Sequence, residues 1–428
     1  MTEAPTVRGF DEVREWIRHA DDRAYVDHLL ESSAASPRMR VGDVYGPLAE
    51  ARARHPVHRG SHSVILGIED FRTMKEIAER PIFALVGFDV VQAAFGDGET
   101  FSSRIHNETI GLVWGETLLG MDGTEHRLHR GLISQAFTKN AVTRWEHEIV
   151  APVVAGLLDR FSADGGAELM TAFTALFPVY VIAAMLGLPQ EDVPRFTGWA
   201  ADTITVFHDR PRGLEASRLL AEYLEEKIDQ RRAAPGDDLI SVLIGAELDG
   251  RRLATSEIVN FCRLLLPAGA ETTFRSSSSL LVALLRDQDA LGAVRDDRSL
   301  VPAAIEEALR WEAPLTSVNR VATKDTELAG VAIPAGAIVE CSMGGANRDP
   351  ARWDDPDTYD LHRRPRPHVA FAHGPHTCIG MHLARMETRV ALEALLDRLP
   401  NLHLDREAEP PEMRGLGFRQ PTSIRVEF

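Results

Sequence analysis

The feature that most constrains this chain is an interruption inside a long apolar helical stretch. Apolar spacing predicts one helix from about Thr255 to Arg286, yet Leu264-Leu265-Leu266-Pro267-Ala268-Gly269-Ala270-Glu271-Thr272-Thr273 falls in its middle. A proline inside a helix removes one backbone hydrogen bond and clashes with the preceding turn, at a cost of about 3 kcal/mol or more. Gly269 adds up to about 1 kcal/mol, and the β-branched Thr272 and Thr273 add a little more. A chain that keeps such a cluster in a central helix is expected to use the resulting kink. A widened turn there has room for water or a small ligand. Glu271 and Thr272, side by side, supply the carboxyl and hydroxyl that proton delivery needs. Taken alone, the same residues also fit an ordinary kinked helix with Glu271 in a salt bridge.

Helical periodicity dominates the rest of the chain. Residues 10–55 alternate amphipathic helix with turns, and a helical tract covers about 122–295, where Glu215, Leu219, Ala221, Leu224 and Ile228 mark one surface helix. Ser63-Val64-Ile65-Leu66, Pro81-Ile82-Phe83-Ala84-Leu85-Val86 and Ala337-Ile338-Val339-Glu340-Cys341 read as short strands. Residues 344–369 are irregular, and a helix returns at about 379–398. The uncharged stretch 172–189 is near spanning length, but Pro178 and Gly187 interrupt it and no basic anchors flank it, so it reads as a buried core helix. No linker or repeat divides the 428 residues. The expectation is one mainly α domain, 1–428, with a smaller β-rich part and a lead-in over 1–40.

A net charge of −17 argues against a nucleic-acid binder. The N-terminus lacks a secretory pattern. The three cysteines, Cys262, Cys341 and Cys378, are too widely spaced for a disulfide framework or a four-cysteine zinc site. Both features fit a reducing cytoplasm.

Cys378 lies in Phe371-Ala372-His373-Gly374-Pro375-His376-Thr377-Cys378-Ile379-Gly380, just before a helix. Backbone N–H groups and the helix dipole at such a position stabilise a thiolate. Gly374 and Gly380 would let backbone approach a flat ligand closely. A loop with a buried cysteine and a zinc site using His373, His376 and Cys378 are the other readings. Glu307 and Arg310 share a helix face and can pair. In Asp122-Gly123-Thr124-Glu125-His126-Arg127-Leu128-His129-Arg130, His126 and Arg130 face the same way and could bind an anion, although a solvated helix face fits as well.

In this order, the four segments resemble the cytochrome P450 family of haem-thiolate monooxygenases, from about residue 40 to the C-terminus. The cysteine segment is similar to the family's F-x-x-G-x-(R/H)-x-C-x-G loop. Ala268-Gly269-Ala270-Glu271-Thr272-Thr273 meets A-G-x-(D/E)-T-T. Glu307 and Arg310 meet E-x-x-R, and Ala346-Asn347-Arg348-Asp349-Pro350 resembles the meander ahead of the haem loop. The resemblance implies the cytochrome P450 fold, a large helical part and a smaller β-rich part enclosing haem b, iron protoporphyrin IX. It implies Cys378 as the thiolate ligand of the iron and His126, Arg130, Arg320 and His376 as partners of the haem carboxylates. Phe371, Gly374 and Gly380 would shape the loop, and Ala268 and Gly269 would border the oxygen and substrate space. Thr272 and Glu271 would deliver protons, while Glu307 and Arg310 would lock the core to the meander.

The resemblance further implies a lipophilic small-molecule substrate touching 105–114, 197–209, 265–271, 315–318 and 416–418. Arg104, His106 and His208 are possible polar anchors. It implies O2 as co-substrate, no membrane anchor, no fused reductase, and electrons from a ferredoxin with its reductase. Arg364, Arg366, Arg385 and Arg389 form a candidate docking patch on an acidic protein. A peroxide-driven haem-thiolate enzyme and a non-catalytic haem sensor or carrier are the rival functions. Two departures stand out. Ala372 replaces a frequent glycine and would be strained if φ is positive there, and the segment between His58 and Pro81 is unusually long, with an amphipathic piece from Glu69 to Arg80.

Overall fold

The computed structural model describes residues 9–428 apart from 24, 29–30, 32–35, 69–76, 78, 205 and 207–208. Its framework helices are α1 (Phe10–His19), α2 (Gly123–Ser134), α3 (Ala151–Phe161), α4 (Phe177–Met185), α5 (Val193–Ile204), α6 (Arg210–Ala233), α7 (Thr255–Leu266), α8 (Thr272–Arg286), α9 (Val301–Trp311) and α10 (Met381–Arg398). The interrupted helix expected from the sequence forms as α7 and α8, joined by a wide π-helical turn over Pro267–Glu271. The turn absorbs the hydrogen bond that Pro267 cannot make. Beyond it α8 is buried on every side, including the run Ser276 to Ser279. Those hydroxyls are satisfied within the core. Ser277 donates to the Thr273 carbonyl at 2.7 Å, Ser279 to that of Arg275 at 2.9 Å, and Ser278 pairs with Thr174 at 2.8 Å.

The principal core is helical and gathers Leu157, Phe173, Phe177, Leu224, Phe261, Leu284 and Leu395, among others. The 172–189 stretch contributes α4 to it, and among the described residues no helix is long and apolar enough to cross a membrane. The lead-in helix α1 lies along α3. There Arg14 pairs with Asp159 at 2.6 Å, and a Cβ at Gly156 would stand 2.6 Å from the Arg14 carbonyl. Only glycine allows that approach.

Strands β1 (Val57–Arg59), β2 (Ile82–Leu85), β3 (Phe101–Ser102), β4 (Ser317–Ala322) and β5 (Ile338–Ser342) form one sheet in the order β1-β2-β5-β4-β3. Only the β2–β5 pair is parallel. One sheet face packs a second core of Phe83, Leu85, Phe95, Val339 and Cys341. Ser63-Val64-Ile65-Leu66, expected as a strand, is instead the short helix His62–Ile65. Ser61 caps that helix, its hydroxyl accepting from the Val64 N–H, and Glu340 holds its first residue. These tertiary ties override the β preference of valine and isoleucine. The inserted amphipathic piece lies largely outside the described residues. Its end is described at Arg80, which pairs with Glu108.

Candidate functional site

Between the two cores lies a cavity of about 1250 Å³. Small-molecule sites usually measure roughly 300–1,000 Å³, so there is room for a flat cofactor and a second molecule together. All the regions expected to meet substrate reach its wall, including Leu112, Trp114, Ala201, Leu265, Val318 and Phe418. The π-helical turn forms part of the same wall through Ala268, Gly269, Glu271 and Thr272. The Thr272 hydroxyl donates to the Ala268 carbonyl at 2.6 Å. Gly269 also serves packing, because a Cβ there would meet Ile182 at 2.9 Å.

Cys378 stands just ahead of α10 and opens onto the cavity. Its backbone N–H donates to the Phe371 carbonyl at 3.0 Å, which closes the loop. Burial pushes the thiol up, partly opposed by the Gly380 N–H, Arg130 and Arg385. A thiol so placed stays protonated unless a metal ion takes the proton's place. Gly374, at φ 73°, makes its close approach to the Phe95 carbonyl, 2.6 Å from where a Cβ would sit, and not to a ligand. Gly380 has ordinary space, with a Cβ position 3.9 Å from Cys378 Sγ. Ala372 is left-handed, at φ 58°, which is the strained case.

Beside the cysteine loop, basic groups converge from four parts of the chain. The His126 and His376 rings lie 4.1 Å apart, and His376 Nε2 is 3.7 Å from Asp122. Arg320 is buried, with its guanidinium over the Phe95 ring at 5.2 Å. Burial, then Arg320 and His376, push His106 down to about 3. Burial, then His376 and Arg130, push His126 down to about 4. Burial would raise Asp122, but hydrogen bonds from His376 and Ser102 hold it at about 2. The Nε2 atoms of His106 and His126 are buried without a hydrogen-bond partner. The buried Arg320 guanidinium and the two bare imidazole nitrogens thus share a single carboxylate, and two further carboxylates would satisfy them. A flat dicarboxylate cofactor with a metal at its centre therefore fits, with its acids at this cluster and its metal at the Cys378 sulfur.

His106 was expected as a polar substrate anchor, but it belongs with this cluster. Sequence spacing could not show that, since Arg320 and His376 reach it only through the fold. Arg104 is largely exposed and sits 3.9 Å from Asp122, away from the substrate wall, and His208 lies outside the described residues. His373 is exposed while His376 faces His126, and among the described residues no group of three or more metal-type side chains is assembled. Arg385 is paired with Glu306 at 2.6 Å, and Arg389 with Glu146 at 2.7 Å and Glu393 at 2.9 Å. Of the four arginines in the candidate docking patch, only Arg364 and Arg366 have no carboxylate partner among the described residues.

Glu307 and Arg310 form a buried two-pronged pair at 2.8 and 2.7 Å. Arg310 also donates to the carbonyls of Asn347, Pro356 and Thr358, while Glu307 accepts from Arg363 and the Asp360 N–H. This knot ties α9 to the irregular segment 344–369 that carries the chain toward Cys378.

Comparison with known proteins agrees with this geometry. The family model for cytochrome P450 matches residues 208–428. Nocardicin C N-oxygenase from Nocardia uniformis subsp. tsuyamanensis is 40% identical over 73% of this chain and 79% of its own length. Cytochrome P450 monooxygenase PikC from Streptomyces venezuelae is 35% identical over 85% of this chain and 86% of its own. The crystal structure of CYP109E1 from Bacillus megaterium in complex with testosterone superposes with a TM-score of 0.79 at 29% identity, covering 90% of this chain and 99% of that one. Fold, cavity and relatives together define a haem-thiolate oxidoreductase of the monooxygenase class. The chain belongs to the cytochrome P450 family, and its cofactor is iron protoporphyrin IX held by a thiolate.

Proposed function

We propose that this protein uses O2 to oxidise, most simply by hydroxylation, a lipophilic small organic molecule, with electrons from a separate ferredoxin and ferredoxin reductase. The observation that carries the reading is that Cys378 and the Glu271–Thr272 pair open onto one large, mostly apolar cavity. Haem, when bound, supplies the oxygen-activating chemistry.

The chain's own residues position the cofactor and supply the proton. Cys378 ligates the iron. His126, Arg130, Arg320 and His376, joined by His106, hold the haem carboxylates. Phe371, Gly374 and Gly380 shape the loop, and Ala268 and Gly269 border the reacting space. Glu271 passes a proton toward the Thr272 hydroxyl, which the Ala268 carbonyl keeps at the cavity wall. Arg364 and Arg366, exposed near the cysteine loop, suit an acidic electron donor. The whole chain acts as one cytochrome P450 domain in the cytoplasm, a setting consistent with three free cysteines.

The test is spectroscopic and kinetic. The reduced protein with carbon monoxide should show the red-shifted Soret band of thiolate ligation, and Cys378→Ala should lose it. Thr272→Ala should keep the band but divert electrons from product to hydrogen peroxide. A retained band in Cys378→Ala, or unchanged product per electron in Thr272→Ala, would overturn the assignment.

A further inference from the structure

Glu340 is out of character with its surroundings. It occupies the centre of β5 between Val339 and Cys341, opposite Asn319 of β4 and Ala84 of β2. The same sheet face carries Ile82 and Ile338, against which Ile77 of the inserted segment and Ile105 pack. A carboxylate on such a face costs free energy unless something compensates it.

Part of the compensation comes from the insertion. Glu340 Oε2 accepts from the backbone N–H of His62 at 2.8 Å. Its Oε1 is 3.1 Å from His62 Nδ1 and accepts from Ser317 Oγ at 3.3 Å. His62 is itself buried, and its Nε2 has no partner. Burial would raise the Glu340 carboxyl, but the contacts from His62 and Ser317 hold it below the usual carboxylate range. Among the described residues no arginine or lysine pairs with that carboxylate.

The remaining side of Glu340 is open. Its side chain is 18% exposed, and it lines the large cavity beside Ser61, Ser63, Ser317 and Asn319. An ionised carboxylate offers about four acceptor sites, and His62 and Ser317 occupy three. One remains, on a side chain that lines a chamber whose other walls are largely apolar.

We propose that Glu340, seated by His62 and Ser317, is an acidic subsite that takes a cationic group, such as a protonated or quaternary amine, on an otherwise apolar substrate. The inference rests on reading the cavity as the substrate chamber and names the substrate class for it. A cation there would take the acceptor position that His62 and Ser317 leave open. The inserted segment then has a role, since it brings the residue that fixes the carboxylate.

The experiment is a Soret-shift titration of the haem-loaded enzyme with decyltrimethylammonium, decanol and decanoate. A quaternary nitrogen has no lone pair and cannot ligate the iron. The wild type should bind the ammonium probe at least about tenfold more tightly than decanoate. Glu340→Gln should lose about tenfold for the ammonium probe while its decanol affinity stays within about twofold of wild type. Equal ammonium affinity in the two proteins overturns the subsite and, with decanol still shifting the Soret band, leaves the chamber reading standing. A wild-type preference for decanoate overturns the subsite without any variant. Failure of every probe to shift the band in either protein overturns the subsite and the chamber together.

Discussion

Arg275 donates through Nη2 to Glu271 Oε2 at 2.6 Å, one helical turn past the wide turn that carries the acid. Both side chains are buried, at 6% and 12% exposure. Arg275 is in turn fixed by Gln420 and by the Phe418 ring 5.0 Å from its guanidinium. Phe418 lines the cavity. A group expected to touch substrate is thus one side chain away from the group expected to supply the proton.

The pair behaves as a buried unit in stability measurements. Removing Arg275 alone leaves an uncompensated carboxylate, so Arg275→Ala is expected to cost about 3 kcal/mol in unfolding of the haem-loaded enzyme. The double variant Glu271→Gln/Arg275→Met removes both charges and should recover most of that loss. Additive effects of the single changes would show that the two residues do not interact.

The knot around Arg310 gives a second expectation. Its planar fork serves Glu307 and three carbonyls at once, a geometry lysine cannot reproduce. Arg310→Lys should cost about 3 kcal/mol and lower haem retention, because the irregular segment leading to Cys378 loses its anchor. Haem content after gel filtration and a denaturant titration report the two effects separately.

How far these features were legible in the sequence depends on whether their cause is local. Pro267 and Gly269 carry their penalty in the chain itself, so the broken helix and its wide turn could be read directly. Glu307 and Arg310 were legible as a spacing, but their burial depends on carbonyls roughly 40 residues away. Arg385 and Arg389 looked like free charge because Glu306 and Glu146 neutralise them from distant helices. Ser63 to Leu66 has the composition of a strand, and only the cap at Ser61 and the tie to Glu340 make it helical. A sequence signal for Glu340 did exist, a lone charge in an apolar strand, but its partner His62 lies 278 positions earlier.

Ala372 offers a test of backbone strain. A left-handed alanine costs about 1–2 kcal/mol, while glycine gives back roughly 0.5–1 kcal/mol through its greater freedom in the unfolded chain. The small methyl contact with the sheet core reduces the gain further. Ala372→Gly should therefore stabilise the protein by about 0.5 kcal/mol. Ala372→Val should destabilise it by at least about 1 kcal/mol, since a β-branched residue tolerates positive φ poorly. Thermal unfolding of the three haem-loaded proteins should rank Gly above Ala above Val. A loss on glycine substitution would mean that the methyl contact outweighs the strain.

Glu387 on α10 sets the pH dependence that is simplest to measure. It is buried, its Oε1 has no hydrogen-bond partner, and burial alone raises its carboxyl well above the usual range. An unfolded glutamate titrates near about 4.3. From there up to the raised folded value, the native protein holds a proton that the unfolded chain has lost. Stability contributed by that proton is complete below about pH 4.3 and falls by about 1.4 kcal/mol per pH unit as the pH rises through this window. Glu387→Gln cannot titrate, so its stability should lack this slope. Any offset from the buried amide is constant with pH, so the informative quantity is the difference between variant and wild type as a function of pH. Denaturant titrations of both haem-loaded proteins from about pH 4.5 upward should show the variant gaining on the wild type as the pH rises into the window. Parallel curves would mean that Glu387 is ionised in the native protein and that a partner for its carboxylate exists inside the fold.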